Sequence, residues 1–108
     1  MGFMEKLERL AASGIRLLPA HEIPTHFVLE RDGYAALVER TEEGFGAIGS
    51  PGLLTGEGFA ALVWRGEHAW FVRKGYSEAA TPEQVQALRR FAGDLGRALA
   101  AGVGNTPG

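Results

Sequence analysis

The sequence predicts an α+β protein, with a four- or five-stranded antiparallel meander flanked by an N-terminal and a C-terminal helix. Apolar residues recur at helical spacing near both ends of the chain, and two hairpin signals lie between them. The length of 108 residues favours one domain. We assign this domain to residues 1–101 and interpret residues 102–108, which are rich in glycine, as a flexible tail.

The first element is predicted to be an amphipathic helix. Residues 3–13 place apolar side chains at spacings of four and three, with charged residues between them. Gly14 is a suitable stop because glycine accepts the left-handed conformation that ends helices. Residues 15–18 either extend this helix or form a short strand, and Pro19 ends both alternatives.

Two hairpins form the predicted centre of the sheet. Asp32-Gly33 is typical of a type I′ turn, and Gly66-Glu67 places glycine first, as type II′ requires. The predicted strands are 26–31, 34–40, 59–65 and 68–74. Between the hairpins, residues 45–48 indicate a weak fifth strand, with turns expected at 42–44 and 50–52.

The C-terminal helix has the clearest start signal. Thr81 is a good N-cap, Pro82 fits the first helical position, and Gln84 completes a capping-box pattern. Its apolar stripe consists of Val85, Leu88, Ala92, Leu95 and Leu99. The stripe predicts that this helix packs against the sheet.

Composition excludes several functional classes. The net charge of −2 predicts no binding to nucleic acid, and no apolar stretch is long enough to cross a membrane. The first residues lack the apolar run of a secretory signal. With no cysteine in the chain, we expect a cytoplasmic protein without disulfides or metal-thiolate sites.

Two motif-like patterns carry no predicted cofactor. Residues 44–49 fit G-x-G-x-x-G, but Pro51 and Gly52 follow where a dinucleotide-binding fold needs a helix. His21 and His26 are five residues apart with Pro24 between them, so they cannot share one helical face as zinc-protease ligands do. We therefore expect neither a cofactor nor a metal.

The distribution of apolar residues favours a non-enzymatic protein–protein interaction module that forms a homodimer. In the second hairpin both sets of alternating residues are apolar, whereas a half-exposed sheet normally alternates apolar with polar. The predicted interface is the face that bears Trp64. It comprises Leu62, Trp64, Phe71, Val28 and Leu37.

Two alternatives stay open. One is a small-ligand-binding or sensory domain with a pocket between helix and sheet. There Trp64 and Arg73 would form an aromatic–cation pair for an anionic or aromatic ligand, with His26 and Glu39 as further candidates. The other is a small enzyme that uses His26, Glu39 and His68, because His26 and Glu39 are predicted to face each other across the first hairpin.

Overall fold

In chain order, the described residues form a helix, seven strands of one antiparallel sheet and a second helix. The computed structural model describes residues 2–18, 24–56 and 58–99. The elements are α1 (Phe3–Ala12), β1 (Arg16–Leu18), β2 (His26–Arg31), β3 (Tyr34–Thr41), β4 (Gly44–Thr55), β5 (Gly58–Arg65), β6 (His68–Arg73), β7 (Tyr76–Ala79) and α2 (Pro82–Leu99). All seven strands pair with their neighbours in chain order, which confirms the α+β class and the meander.

The turns follow from the residues that were expected to make them. Asp32 and Gly33 have φ angles of 56° and 90°, the pair of positive values that a type I′ turn needs. Gly66 has a φ of 66°, and Gly14, with a φ of 77°, follows α1. At α2, the Gln84 amide donates to Thr81 Oγ1 over 3.1 Å and the Thr81 amide donates to Gln84 Oε1 over 2.9 Å.

The strand count differs from the prediction of four or five. β7 has only four residues, and β4 runs through the turn that was expected at residues 50–52. Pro51 pairs with Ala36 next to a register shift between β3 and β4, and it precedes Gly52, where the pairing with β5 begins. Such positions at the edge of a regular ladder tolerate a residue without an amide hydrogen. Residues 15–18 contain a strand, β1, which was one of the two alternatives.

Some predicted segments cannot be compared. The end that Pro19 was expected to make, His21, and the flexible tail at residues 102–108 lie outside the described residues.

Both helices pack against the same side of the sheet, which we call the covered face. The core there comprises Leu10, Ile15, Leu29, Ala36, Val38, Ala60, Phe71, Leu88, Phe91, Leu95, Ala98 and Leu99. At the start of α1, the Phe3 ring centroid lies 4.9 Å from that of Phe45 and 6.0 Å from that of Phe27. No other helix or strand in the described ranges covers the opposite side, which we call the open face.

Arg31 on β2 connects the sheet to both helices. Its Nη1 donates to the Ser13 carbonyl oxygen over 2.9 Å and to Asp94 Oδ2 of α2 over 2.8 Å. Its guanidinium also lies 5.8 Å from the Phe91 ring centroid. The hydrogen bond from Arg31, together with one from Arg97, lowers the pKa of Asp94 below its ordinary value.

Truncating the α2 stripe is expected to destabilise the protein strongly. Leu88 and Leu95 are 1% and 0% exposed, so Leu88→Ala or Leu95→Ala leaves a cavity and should lower the free energy of unfolding by about 2–5 kcal/mol. Urea denaturation measures this change. Arg90→Ala, on the exposed side of the same helix, is the control and should change it by less than about 0.5 kcal/mol. A loss below about 1 kcal/mol for both leucine variants would contradict the packing.

Candidate functional site

The open face is organised around one cross-strand row whose three central residues are small. The strand register aligns Glu30, Ala35, Gly52, Ala61 and Val72 across β2 to β6. Gly52 cannot be replaced without a backbone shift, because a Cβ at this position would lie 2.1 Å from the Ala60 carbonyl oxygen. The middle of the row therefore forms a shallow depression in the open face, and larger side chains project on either side of it.

Three cross-strand pairs of larger apolar residues flank this row. They are Val28 with Leu37, Leu54 with Phe59, and Val63 with Trp70. Val63 is 39% exposed, whereas Val28 is buried and the other four are half-buried. The result is an apolar surface that spans β2 to β6 and that no described helix or strand covers.

Glu30, the one buried charged residue among those that the structure describes, is neutralised by its neighbours on the open face. Arg16 of β1 donates to Glu30 Oε1 from Nε over 3.0 Å and from Nη2 over 2.7 Å. The Gly33 amide donates to Glu30 Oε2 over 2.8 Å. Desolvation raises the pKa of Glu30, but these hydrogen bonds and the Arg16 charge outweigh it and hold the pKa below its ordinary value.

The five predicted interface residues do not share one face. Val28 and Leu37 lie on the open face, as the pairing across the first hairpin implies. Leu62 pairs with Phe71, which is 0% exposed and belongs to the core beneath the helices. Trp64 lies on that same covered side, so a partner at the open face would reach neither Phe71 nor Trp64.

The predicted aromatic–cation pair is also rearranged. The cation over the Trp64 ring is Arg89 of α2, 5.9 Å from the ring centroid. Arg73 instead lies over the Tyr76 ring, 4.7 Å from its centroid. Arg89 was missed because only the tertiary packing of α2 brings it to Trp64, and nothing in the local sequence signals that contact.

The enzyme candidates lie at two separate places. His26 and Glu39 are direct cross-strand partners, as predicted, and His26 Nδ1 lies 2.8 Å from Thr25 Oγ1. His68 lies three strands away from Glu39, on β6, where it pairs with Arg65. The fold therefore does not bring the three residues together.

The two motif-like segments can be placed in part. Residues 44–49 lie in β4, which continues to Thr55 without a helix after the glycines. His21 lies outside the described residues, so the His21–His26 spacing has no structural counterpart here. Among the residues that are described, no group of three or more His, Cys, Asp or Glu side chains could hold a metal ion.

A cleft lies where the tip of the β5–β6 hairpin meets the start of α2; we call it the Trp64 cleft. Its volume is about 480 Å³. It is lined by Trp64, Glu67, His68, Ala69, Trp70, Ala79, Ala80, Pro82, Val85, Gln86 and Arg89. Most of these residues are apolar, with a few polar groups among them, which is the usual composition of a small-molecule pocket, and the volume is also in the usual range.

The chain matches no protein-family model, no curated protein and no solved structure. Within the described ranges, no helix has both the length and the hydropathy that are needed to cross a membrane. Function is therefore inferred from the open face and the Trp64 cleft themselves.

The Arg16–Glu30 contact predicts a pH-dependent contribution to stability. Because the pKa of Glu30 is lowered on folding, its stabilisation is complete above the ordinary glutamate pKa of about 4.3 and is lost as the pH falls through the lower, folded value. Arg16→Gln removes the charge and both arginine hydrogen bonds, so the pKa of Glu30 should rise. Carboxyl ¹³C titration by NMR measures this pKa in both proteins. An unchanged Glu30 titration in the variant would contradict the contact.

Proposed function

We propose that this protein is a non-enzymatic interaction module that forms a homodimer through the open face of its sheet. The observation that carries the proposal is the set of apolar residues around the Ala35–Gly52–Ala61 row that stay half-buried or exposed on a face that no described helix or strand covers. They are Leu37, Leu54, Phe59, Val63 and Trp70. An antiparallel sheet with one solvated face normally alternates apolar and polar residues, and this face carries apolar residues across five neighbouring strands. The absence of cysteine is compatible with the cytoplasm that we expect for this module.

The size of the open face supports a second copy as its occupant. The five strands of this surface, about 4.8 Å apart and each contributing about five residues, give a projected area of roughly 400 Å². The accessible area of a corrugated face exceeds its projection, and a standard interface buries about 800 Å² per partner, so the face lies at the small end of the range. We therefore expect a weak dimer, with a dissociation constant in the micromolar range.

The positions of Glu39 and Arg65 at the margin of the face support a dimer with a two-fold axis along β4. Glu39 lies four residues beyond Ala35 on β3, and Arg65 lies four residues beyond Ala61 on β5. Ala35 and Ala61 both pair with Gly52, and β3 and β5 run in the same direction, so Glu39 and Arg65 lie equally far along the sheet on either side of β4. A two-fold axis along β4 superposes β3 of one copy on β5 of the other.

This arrangement places each Glu39 against Arg65 of the second copy. Both side chains are exposed, and the guanidinium of Arg65 lies 5.4 Å from the Trp70 ring centroid on the same face. The same axis places the Val28–Leu37 pair of one copy over the Val63–Trp70 pair of the other. Opposite charges and apolar pairs are then matched simultaneously, in the aligned packing that sheet sandwiches favour.

A charge in the middle of the face should prevent dimerisation. Val63→Glu places a carboxylate in the apolar contact, and we expect the dimer constant to weaken by about a hundredfold or more, because an unpaired buried charge costs several kcal/mol. Sedimentation equilibrium measures the constant. Leu17→Glu and Trp64→Glu are matched controls, since these residues are 42% and 50% exposed but lie on the covered side, and both should dimerise as the wild type does. A wild-type chain that is still monomeric at about 100 µM contradicts the proposal.

Charge reversal tests the symmetry separately from the surface. Glu39→Arg or Arg65→Glu alone sets like charges against each other twice in each dimer, and each should weaken dimerisation about tenfold or more. The double variant restores opposite charges and should return to within about threefold of the wild type. Glu42→Arg, the same charge change in the exposed β3–β4 turn, is the control. A double variant that is as weak as the single ones would contradict the two-fold axis along β4.

A further inference from the structure

We infer that the Trp64 cleft binds a small ligand that carries both an aromatic ring and an anionic group. The inference does not depend on the proposed dimer, because most of the cleft is built from the hairpin tip and from α2 on the covered side. Its two halves offer different chemistry: an exposed indole over an apolar floor, and a guanidinium beside it.

The aromatic half rests on the exposure of Trp64. Half of this side chain is accessible, although tryptophan usually buries most of its large apolar surface in a small protein. Ala69, Ala80 and Val85 line the same cleft with apolar carbon, so a planar ring would meet the indole on one side and aliphatic groups on the other. A volume of about 480 Å³ accommodates a ligand of one or two rings.

The anionic half rests on Arg89. It forms no ion pair with any residue in the described ranges, whereas the neighbouring Asp94 is already engaged by Arg31 and Arg97. The Arg89 guanidinium lies over the Trp64 ring, which holds it at the cleft without neutralising its charge. Its planar set of donors suits a carboxylate or a phosphate.

The remaining polar groups of the cleft restrict where the anion can lie. Glu67 and His68 line the hairpin side, where the Glu67 carboxylate repels an anion, whereas Arg89 attracts one at the α2 side, so we expect the negative group of the ligand at the α2 side. Gln86, one turn before Arg89 on α2, adds an amide that can donate to the same group. The ligand class is therefore a ring with its anion at the Arg89 end, which both aryl carboxylates and nucleoside monophosphates satisfy.

Matched pairs of probes test the two requirements. Phenylacetate and 2-phenylethanol share a ring and differ in the carboxylate, and adenosine 5′-monophosphate and adenosine differ in the phosphate. Each is titrated into ¹⁵N-labelled full-length protein up to about 5 mM, and amide shifts are followed by NMR. We expect at least one anionic probe to shift the amides around Trp64 and Arg89, and its neutral counterpart to bind about tenfold or more weakly. The pair that binds identifies the source of the anion.

Two variants with a matched control assign the binding to the cleft. Arg89→Gln should weaken the anionic probe about tenfold or more, and Trp64→Ala should weaken both members of the pair. Arg90→Gln removes the same charge from the next residue of α2, which does not line the cleft, and should change affinity by less than about threefold.

Three outcomes would overturn the inference. One is that no probe shifts these amides at the highest concentration, and another is that the neutral probes bind as tightly as the anionic ones. The third is that Arg89→Gln and Arg90→Gln weaken binding equally, which would mean a diffuse attraction to α2. Arg89 is exposed and outside the core, so this last comparison does not depend on a variant that might misfold.

Discussion

Two helices of 10 and 18 residues pack against the same side of a seven-stranded sheet. At 1.5 Å per residue they are about 15 and 27 Å long, and each is about 10 Å wide, so together they can cover one side of the sheet only. Arg31 reinforces this choice of side, because it hydrogen-bonds to the end of α1 and to Asp94 of α2 at once. Both helices of the described ranges therefore lie on the covered face, and neither lies on the opposite face.

This asymmetry has a consequence for β2 to β6. Strands that are buried on one side normally carry polar residues on the other, yet pairs such as Val63 with Trp70 and Leu54 with Phe59 are apolar on the open side. An uncovered apolar sheet face of this kind promotes association in water, and natural proteins limit it by charge at the margins. Here the marginal charges are Arg16, Glu39 and Arg65, and Arg16 is already used to neutralise Glu30.

Local sequence signals were enough to predict each hairpin, but not which faces of the two hairpins lie on the same side of the sheet. Asp32-Gly33 and Gly66 specify turns whose registers follow from a few residues, and both registers were predicted correctly. Whether Leu62 shares a face with Leu37 or with Ala36 depends on how β4 pairs with β3 and β5, and a turn was predicted at residues 50–52, where β4 makes these pairs. A difference of one residue in either pairing exchanges the two sides of a strand, so the predicted interface combined residues of opposite faces.

The other features that the sequence did not predict, β7 and the Arg89–Trp64 contact, depend on pairing and packing that no local pattern indicates. β7 is four residues long and pairs only with β6, so its alternation is too short to be recognised. The Arg89–Trp64 contact joins residues 25 positions apart and depends on the angle at which α2 leaves the sheet. By contrast, the Thr81–Gln84 capping box was readable because every atom it needs lies within one helical turn.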